Sequence, residues 1–94
     1  MGNQVSIFQL NPSPVAVVAT GKDGAMTMIR IGDSLDQIRN MVGSPLGKAT
    51  LTEWKTLSGE IDVCLFSAGR EFKVNTALVF SNGKLADIGG FDEA

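Results

Sequence analysis

The sequence predicts an α+β domain, in which one short helix packs on an antiparallel β-sheet. Apolar residues between Leu35 and Val42 recur at helical spacing, with polar residues between them. Polar and apolar residues alternate from Glu60 to Leu65, which is typical of a strand with one buried face. The Asn82-Gly83 pair favours the tight turn of a β-hairpin, because both residues tolerate a positive φ. The predicted element order is β-β-α-β-β-β-β, with an extra N-terminal strand as an option.

Length, composition and charge limit the classes of protein to which this chain can belong. The chain has 94 residues, of which 44% are hydrophobic and 19% charged, and this suits one globular domain with its own core. We assign residues 1–94 to a single domain, with 1–13 as an arm or an edge strand and 90–94 as a tail. The net charge is −2 and the 8 basic residues are scattered, so we expect no nucleic-acid partner. No apolar run approaches the ~18 residues of a membrane-spanning helix, so we expect no membrane span.

The predicted helix has signals for both of its ends. Asp33 or Ser34 can accept hydrogen bonds from the free N–H groups of the first turn, and Gln37 completes a capping box with Ser34. Gly43 suits the position after the last turn, where φ is positive. Because a helix of roughly ten residues is unstable alone in water, we expect its apolar side to lie on the sheet.

The other strands are predicted from β-branched residues, alternation and turn signals. Gly21–Gly24 would join the first two strands as a hairpin, and Ser58-Gly59 would be a turn between two later strands. The run Val15–Ala19 is apolar at every position, so we expect both faces of that strand to be covered. The predicted strands are Val15–Thr20, Ala25–Ile31, Leu51–Leu57, Glu60–Leu65, Phe72–Phe80 and Lys84–Ile88.

The last hairpin is predicted to be apolar on both faces. A two-residue turn places Phe80 opposite Leu85 on the face that the helix can cover, and Val79 opposite Ala86 on the other face. For that second face we consider two coverings. Either the N-terminal hairpin folds over it, or a second subunit or another partner covers it.

The residues that catalysis commonly needs are scarce. The chain has no histidine and no tyrosine, and its one cysteine, Cys64, lies in an alternating strand. The carboxylates are spread singly, without the spacing of a zinc or calcium site. Gly43–Thr50 is similar to a phosphate-binding loop, but Ala49 replaces the magnesium-binding hydroxyl and the glycines stand too close together. We therefore predict no enzyme, no catalytic residue, no cofactor and no metal site.

The segment Ile31–Ile88 resembles the SmpA/OmlA-like domain of small bacterial lipoproteins that accompany the outer-membrane β-barrel assembly machinery. The features that match are Ile31-Gly32 before the helix, Gly43-Ser44-Pro45 after it, a strand with Trp54, and Leu78–Leu85 as the last hairpin. That family usually starts with a lipidated cysteine and places two helices before three strands, whereas this sequence predicts strands where the first helix would be. β-lactamase inhibitory proteins share the plan of helices on a sheet.

The resemblance implies a non-catalytic binding module. It also implies the bacterial periplasm or the outer-membrane periphery, if a signal was removed; otherwise we expect a cytoplasmic location.

The function that we predict is protein binding without catalysis, in envelope assembly or as an inhibitor-like module. The alternative is a self-associating structural or accessory protein, for example a phage-related one, for which a homodimer is expected. Partner contacts would lie on the open sheet face or on the N-terminal strand, which could add to the edge of a sheet. The candidate residues are Ala77, Val79, Ala86 and Ile88 on the face, and Val5, Ile7, Phe8 and Leu10 on the strand.

Overall fold

The computed structural model describes residues 5–54 and 57–93. The elements are β1 (Val5–Gln9), β2 (Ala16–Thr20), β3 (Met26–Arg30), α1 (Leu35–Val42), β4 (Gly47–Trp54), β5 (Leu57–Phe66), β6 (Thr76–Ser81) and β7 (Lys84–Glu93). The predicted α+β class is wrong, because 55% of the chain lies in strands and the one helix is short. The strands extend beyond their sequence signals, since β5 and β7 each span 10 residues. The protein is mostly β, with a small helix beside a curled antiparallel sheet.

Five strands form one antiparallel sheet in the order β1-β7-β6-β5-β4, and β2 and β3 form a separate hairpin. The edge strand β1 pairs with β7 from Val5 opposite Glu93 to Gln9 opposite Gly89. The predicted tail, residues 90–94, is therefore wrong: β7 continues to Glu93 because β1 supplies a pairing partner, and Ala94 lies outside the described residues.

The ends of α1 confirm their sequence signals. Ser34 is the N-cap, since its Oγ accepts a hydrogen bond over 3.1 Å from the backbone N–H three residues later. Gly43 ends the helix with a φ of 90°. The Leu35 N–H donates to the Gly83 carbonyl over 3.0 Å, and this bond ties the start of α1 to the β6–β7 turn. In that turn Asn82 has a φ of 54°, as the predicted hairpin requires.

A β-bulge alters the register of the last hairpin. Val79 pairs with Asp87 rather than with the predicted Ala86, because the register shifts between Val79 and Phe80. Ala86 is the extra residue of the bulge, and the alternation of β7 restarts after it. Ile88 therefore lies on the helix side of the sheet rather than on the second face.

The strand predicted from Phe72 begins only at Thr76. A turn holds the preceding residues, because the Gly69 N–H donates to the Phe72 carbonyl over 2.8 Å. Within the same turn, the Ala68 N–H donates to Asn75 Oδ1 over 2.8 Å. Residues 73–75 are therefore irregular, and they do not extend the sheet.

β4 and β5 form a longer hairpin than predicted. β4 begins at Gly47, opposite Leu65, rather than at Leu51. The predicted turn at Ser58-Gly59 lies within β5, and residues 55–56, between the two strands, lie outside the described residues. The segment similar to a phosphate loop leads from a helix into a strand, which is the reverse of the arrangement that binds phosphate.

Each face of the sheet has its own hydrophobic core. On the first face, α1 and the β2–β3 hairpin pack on the sheet. On the second face, β5, β6 and β7 curl around a smaller cluster, and β1 packs against it. The first core contains Ala19, Ile29, Ile38, Val42, Cys64, Phe66, Phe72, Leu78, Phe80, Leu85 and Ile88. The second core contains Ile61, Val63, Leu65, Ala77, Val79 and Phe91.

The prediction that the N-terminal hairpin covers the second face is wrong. The β2–β3 hairpin packs beside the helix on the first face, where Ala19 and Ile29 are buried. Ala77 and Val79 are fully buried within one chain, without a second subunit. The curl of the sheet covers them, because it brings Ile7 of β1 against the same cluster.

Candidate binding groove

Two cavities join to form one apolar groove beside the β2–β3 hairpin. Their volumes are about 470 Å³ and about 390 Å³. Both are lined by Val17, Val74 and Thr76, so the two cavities adjoin each other, and we call them together the groove. The exposed apolar residues that line it are Phe8, Leu10, Val18, Met26 and Val74.

One wall of the groove is the outer edge of β2. Among the described residues, β2 pairs with β3 alone. The Ile31 N–H donates to the Val15 carbonyl, so the odd-numbered residues of β2 direct their backbone groups to β3 and the even-numbered ones direct theirs outward. The N–H and C=O groups of Ala16 and Val18 therefore face the space beside β2.

A single hydrogen bond closes one end of the groove. The Thr20 N–H donates to the Glu71 carbonyl over 2.6 Å. From that point the chain diverges from β2, since Val17 and Val18 face Val74 across the cavity and do not pair with it. The result is a cleft between β2 and the irregular segment 73–75, closed at Thr20 and open beyond it.

The opposite wall is held by anchors on both sides of Val74. Phe72 is buried against Phe66, with ring centroids 5.0 Å apart. The Asn75 side chain accepts a backbone hydrogen bond over 2.8 Å, and the Thr76 hydroxyl donates to the Val74 carbonyl over 2.8 Å. With its neighbours fixed, Val74 projects outward and is 67% exposed.

The other end of the groove is formed by β1 and β7. Phe8 pairs with Gly90, and its ring lies over the glycine. A Cβ at position 90 would lie 2.7 Å from the Phe8 ring, so this packing requires glycine. An aromatic ring over a strand glycine covers backbone that would otherwise be bare. Leu10 extends this end beyond β1, and Ile88 forms its buried floor.

The groove carries one charge near each end. Lys73 lines the part near Met26, and Asp92 lines the part near Phe8. Both charged residues are exposed, and the other residues that line the two cavities are uncharged. A molecule in the groove would therefore meet a positive charge at the closed end and a negative charge at the other.

The predicted partner-binding residues divide into three groups. Phe8 and Leu10 line the groove and are 41% and 37% exposed. The open sheet face is a wrong prediction, since Ala77 and Val79 are buried by the curl of the sheet and Ile88 is buried under the groove. The other three are half-buried: Val5 and Ile7 against the second core, and Ala86 in the bulge.

Sequence reasoning missed Val18, Met26 and Val74. Val18 belongs to an apolar run for which both faces are expected to be covered, yet its outer face is open and Val18 is 46% exposed. Met28, opposite Val18 on the same outer face, is exposed as well. The uninterrupted apolar run could have indicated an exposed apolar surface, because the core of a small domain does not cover both faces of such a strand. Val74 had no such signal, since alternation assigns it to the core.

A polar cavity of about 630 Å³ lies at the closed end of the groove. Lys22 and Arg70 line it together with Glu71, and Val42, the last residue of α1, borders it. The C-terminal end of a helix carries a partial negative charge, which disfavours an anion there. The mixture of charges at this cavity therefore indicates no particular substrate.

Comparisons with protein families, with curated proteins and with solved structures found no match to this chain. The resemblance of Ile31–Ile88 to the SmpA/OmlA-like domain stays a prediction from its motifs. Over residues 5–54 and 57–93, metal-ligating side chains form no cluster of three or more. The same residues include no helix that is long and apolar enough to cross a membrane.

Proposed function

We propose that this protein is a non-catalytic protein-binding module that takes its partner in the apolar groove. The observation that carries the proposal is the exposure of five apolar side chains along the groove. Soluble monomers rarely expose a large group of neighbouring apolar side chains, and such a patch is often functional. Water in contact with this surface would be released on binding, and that release favours a complex.

The groove supports the binding of a partner more than it supports self-association or a role in envelope assembly. Self-association was predicted from an open sheet face, but that face is a core of the single chain. The resemblance to an envelope-assembly domain begins at Ile31, whereas four of the five exposed apolar residues of the groove precede that residue: Phe8, Leu10, Val18 and Met26. The partner must therefore be sought from the groove itself rather than from the resemblance.

A display library of random peptides can test this function. The full chain is immobilised, and enriched peptides are measured in solution against three proteins: the wild type, Val74→Asp and Leu46→Asp. Val74 and Leu46 are similarly exposed, at 67% and 62%, but only Val74 lines the groove. We expect the peptides to bind the wild type and Leu46→Asp alike, and to bind Val74→Asp at least about tenfold more weakly. Failure to enrich any peptide, or equal binding to all three proteins, would refute the function.

A further inference from the structure

We propose that the partner enters the groove as an extended strand, which pairs with the outer edge of β2 and presents an acidic residue to Lys73 and a basic residue to Asp92. This inference rests on the proposed function and adds the form of the partner and its charge pattern. Addition of a strand to an open sheet edge is a common mode of peptide recognition, in which main-chain hydrogen bonds supply affinity and alternate side chains supply specificity.

The edge of β2 has the backbone groups that this mode needs. Ala16 and Val18 direct their N–H and C=O groups away from β3, and Val18 lines the groove. On that side β2 has no neighbour among the strands described. The bond from Thr20 to Glu71 shows that this edge already accepts a backbone partner at its far end. An inserted strand would continue that pairing along the diverging part of the cleft.

The walls of the groove fit alternate apolar side chains. Residues of an inserted strand that lie opposite Val17 would point inward, towards Val74 and Thr76. Residues that lie opposite Val18 would point outward, beside the partly exposed Met26. The partner strand is therefore expected to alternate between apolar and smaller polar residues, with the apolar side chains on the inner side.

The charges indicate the direction of the strand. Antiparallel pairing is slightly more stable per residue than parallel pairing, and it places the start of the partner strand at the closed end of the groove. Lys73 lies near that end and Asp92 near the other. An acidic residue at the start and a basic residue at the end of the strand would then meet opposite charges.

A second copy of this chain suits the groove less well than a strand does. A stable dimer commonly buries about 800 Å² on each partner. The groove supplies five partly exposed apolar side chains and one open strand edge, in a cleft between β2 and Val74. A strand of about seven residues requires only the groove and the open edge, so the shape of the cleft favours a short segment of a partner over a second folded chain.

The probe is the capped peptide Glu-Val-Thr-Val-Thr-Val-Lys, titrated against the full chain. With the central valine opposite Val17, the two threonines lie opposite Val18 and Ala16 and donate to the edge of β2. The first residue, Glu, lies beyond the pairing, because the Glu71 carbonyl already occupies the edge at Thr20. N-methylation of both threonine nitrogens should weaken binding about tenfold, as expected for two lost hydrogen bonds. N-methylation of two valine nitrogens is the matched control, because those N–H groups point away from β2 and their loss should change binding little.

A protein variant tests the same edge from the other side. Ala16→Pro removes an outward N–H, which the β2–β3 ladder does not use, so the fold should persist. We expect this variant to bind the peptide several-fold more weakly than Ala16→Ser does. Exchange of the terminal Glu and Lys of the peptide should weaken binding about threefold, because both charges then face like charges.

The results separate the inference from the proposed function. Equal effects of the two N-methylation patterns, or no binding of the plain peptide at about 1 mM, would overturn strand pairing while peptides from the display library still bind the groove. Tighter binding of the charge-exchanged peptide would overturn the proposed direction. If the peptides from the display library also fail to bind the groove, the proposed function itself would be refuted. A dimer that forms through the groove and excludes the peptide would also overturn the inference.

Discussion

At the scale of single residues, Gly90 has no room for a Cβ beside the Phe8 ring. In Gly90→Ala the new Cβ would lie 2.7 Å from the Phe8 ring, which must swing into solvent and lose its packing. We expect a loss of about 1 kcal/mol of stability in urea unfolding. Gly47→Ala is the matched control, because it is also a strand glycine and its Cβ would meet nothing closer than 4.0 Å. If the two variants are equally stable, the Phe8 ring moves aside in Gly90→Ala without a loss of stability, and its packing over Gly90 does not stabilise the fold.

The cap of α1 is a second test at the residue scale. Ser34→Ala removes the oxygen that accepts a hydrogen bond from the first turn, and should cost about 1 kcal/mol. Ser34→Asp should keep most of the stability, since aspartate is an equally good cap. Ser44→Ala, at an exposed serine beyond the helix, should have little effect. Chemical unfolding measures all three, and an Asp variant as unstable as the Ala variant would argue against the capping bond.

At the scale of elements, the sequence predicted those features that depend only on residues close together in the chain. The helix ends and the Asn82-Gly83 turn depend on neighbouring residues, and both form as predicted. The extra residue at Ala86 has no local signal, because a bulge is favoured by packing on both faces of the sheet. The prediction for Val74 fails for a related reason: alternation cannot show that the strand begins only at Thr76, after a turn in which the Asn75 side chain accepts a hydrogen bond from the Ala68 N–H. Phe8 and Leu10 were found because their strand was recognised as an edge.

The bulge gives a prediction about β7. The bulge at Ala86 allows Ile88 to pack in the first core. Deletion of Ala86 would restore regular pairing and turn Ile88 away from that core. Loss of one large buried side chain from a core costs about 2–5 kcal/mol, so we expect the variant to be largely unfolded by circular dichroism. Deletion of Ser13, in the exposed connection between β1 and β2, should leave a cooperative melting transition. A well-folded deletion of Ala86 would mean that the register is not fixed by the cores.

For the whole molecule, the curl of the sheet decides both the fold class and the site. It closes the second core within one chain, so the helix and the β2–β3 hairpin can both lie on the first face. That hairpin is small and covers the first face only in part. Its open edge and its exposed outer residues remain beside the sheet, and there they form the groove. No local pattern in the sequence encodes this arrangement, because it depends on which edge of the sheet receives β1.

The last prediction tests whether the second face is a core or an interface. Ala77→Asp places a carboxylate where the side chain has no exposure, and an uncompensated buried charge costs about 3–5 kcal/mol. We expect this variant to unfold, whereas Val74→Asp should melt close to the wild type because Val74 is largely exposed. Sedimentation equilibrium should show the wild type as a monomer over a wide concentration range. If the wild type is instead a dimer and Ala77→Asp is a folded monomer, the face is an interface, and self-association rather than peptide binding becomes the function to pursue.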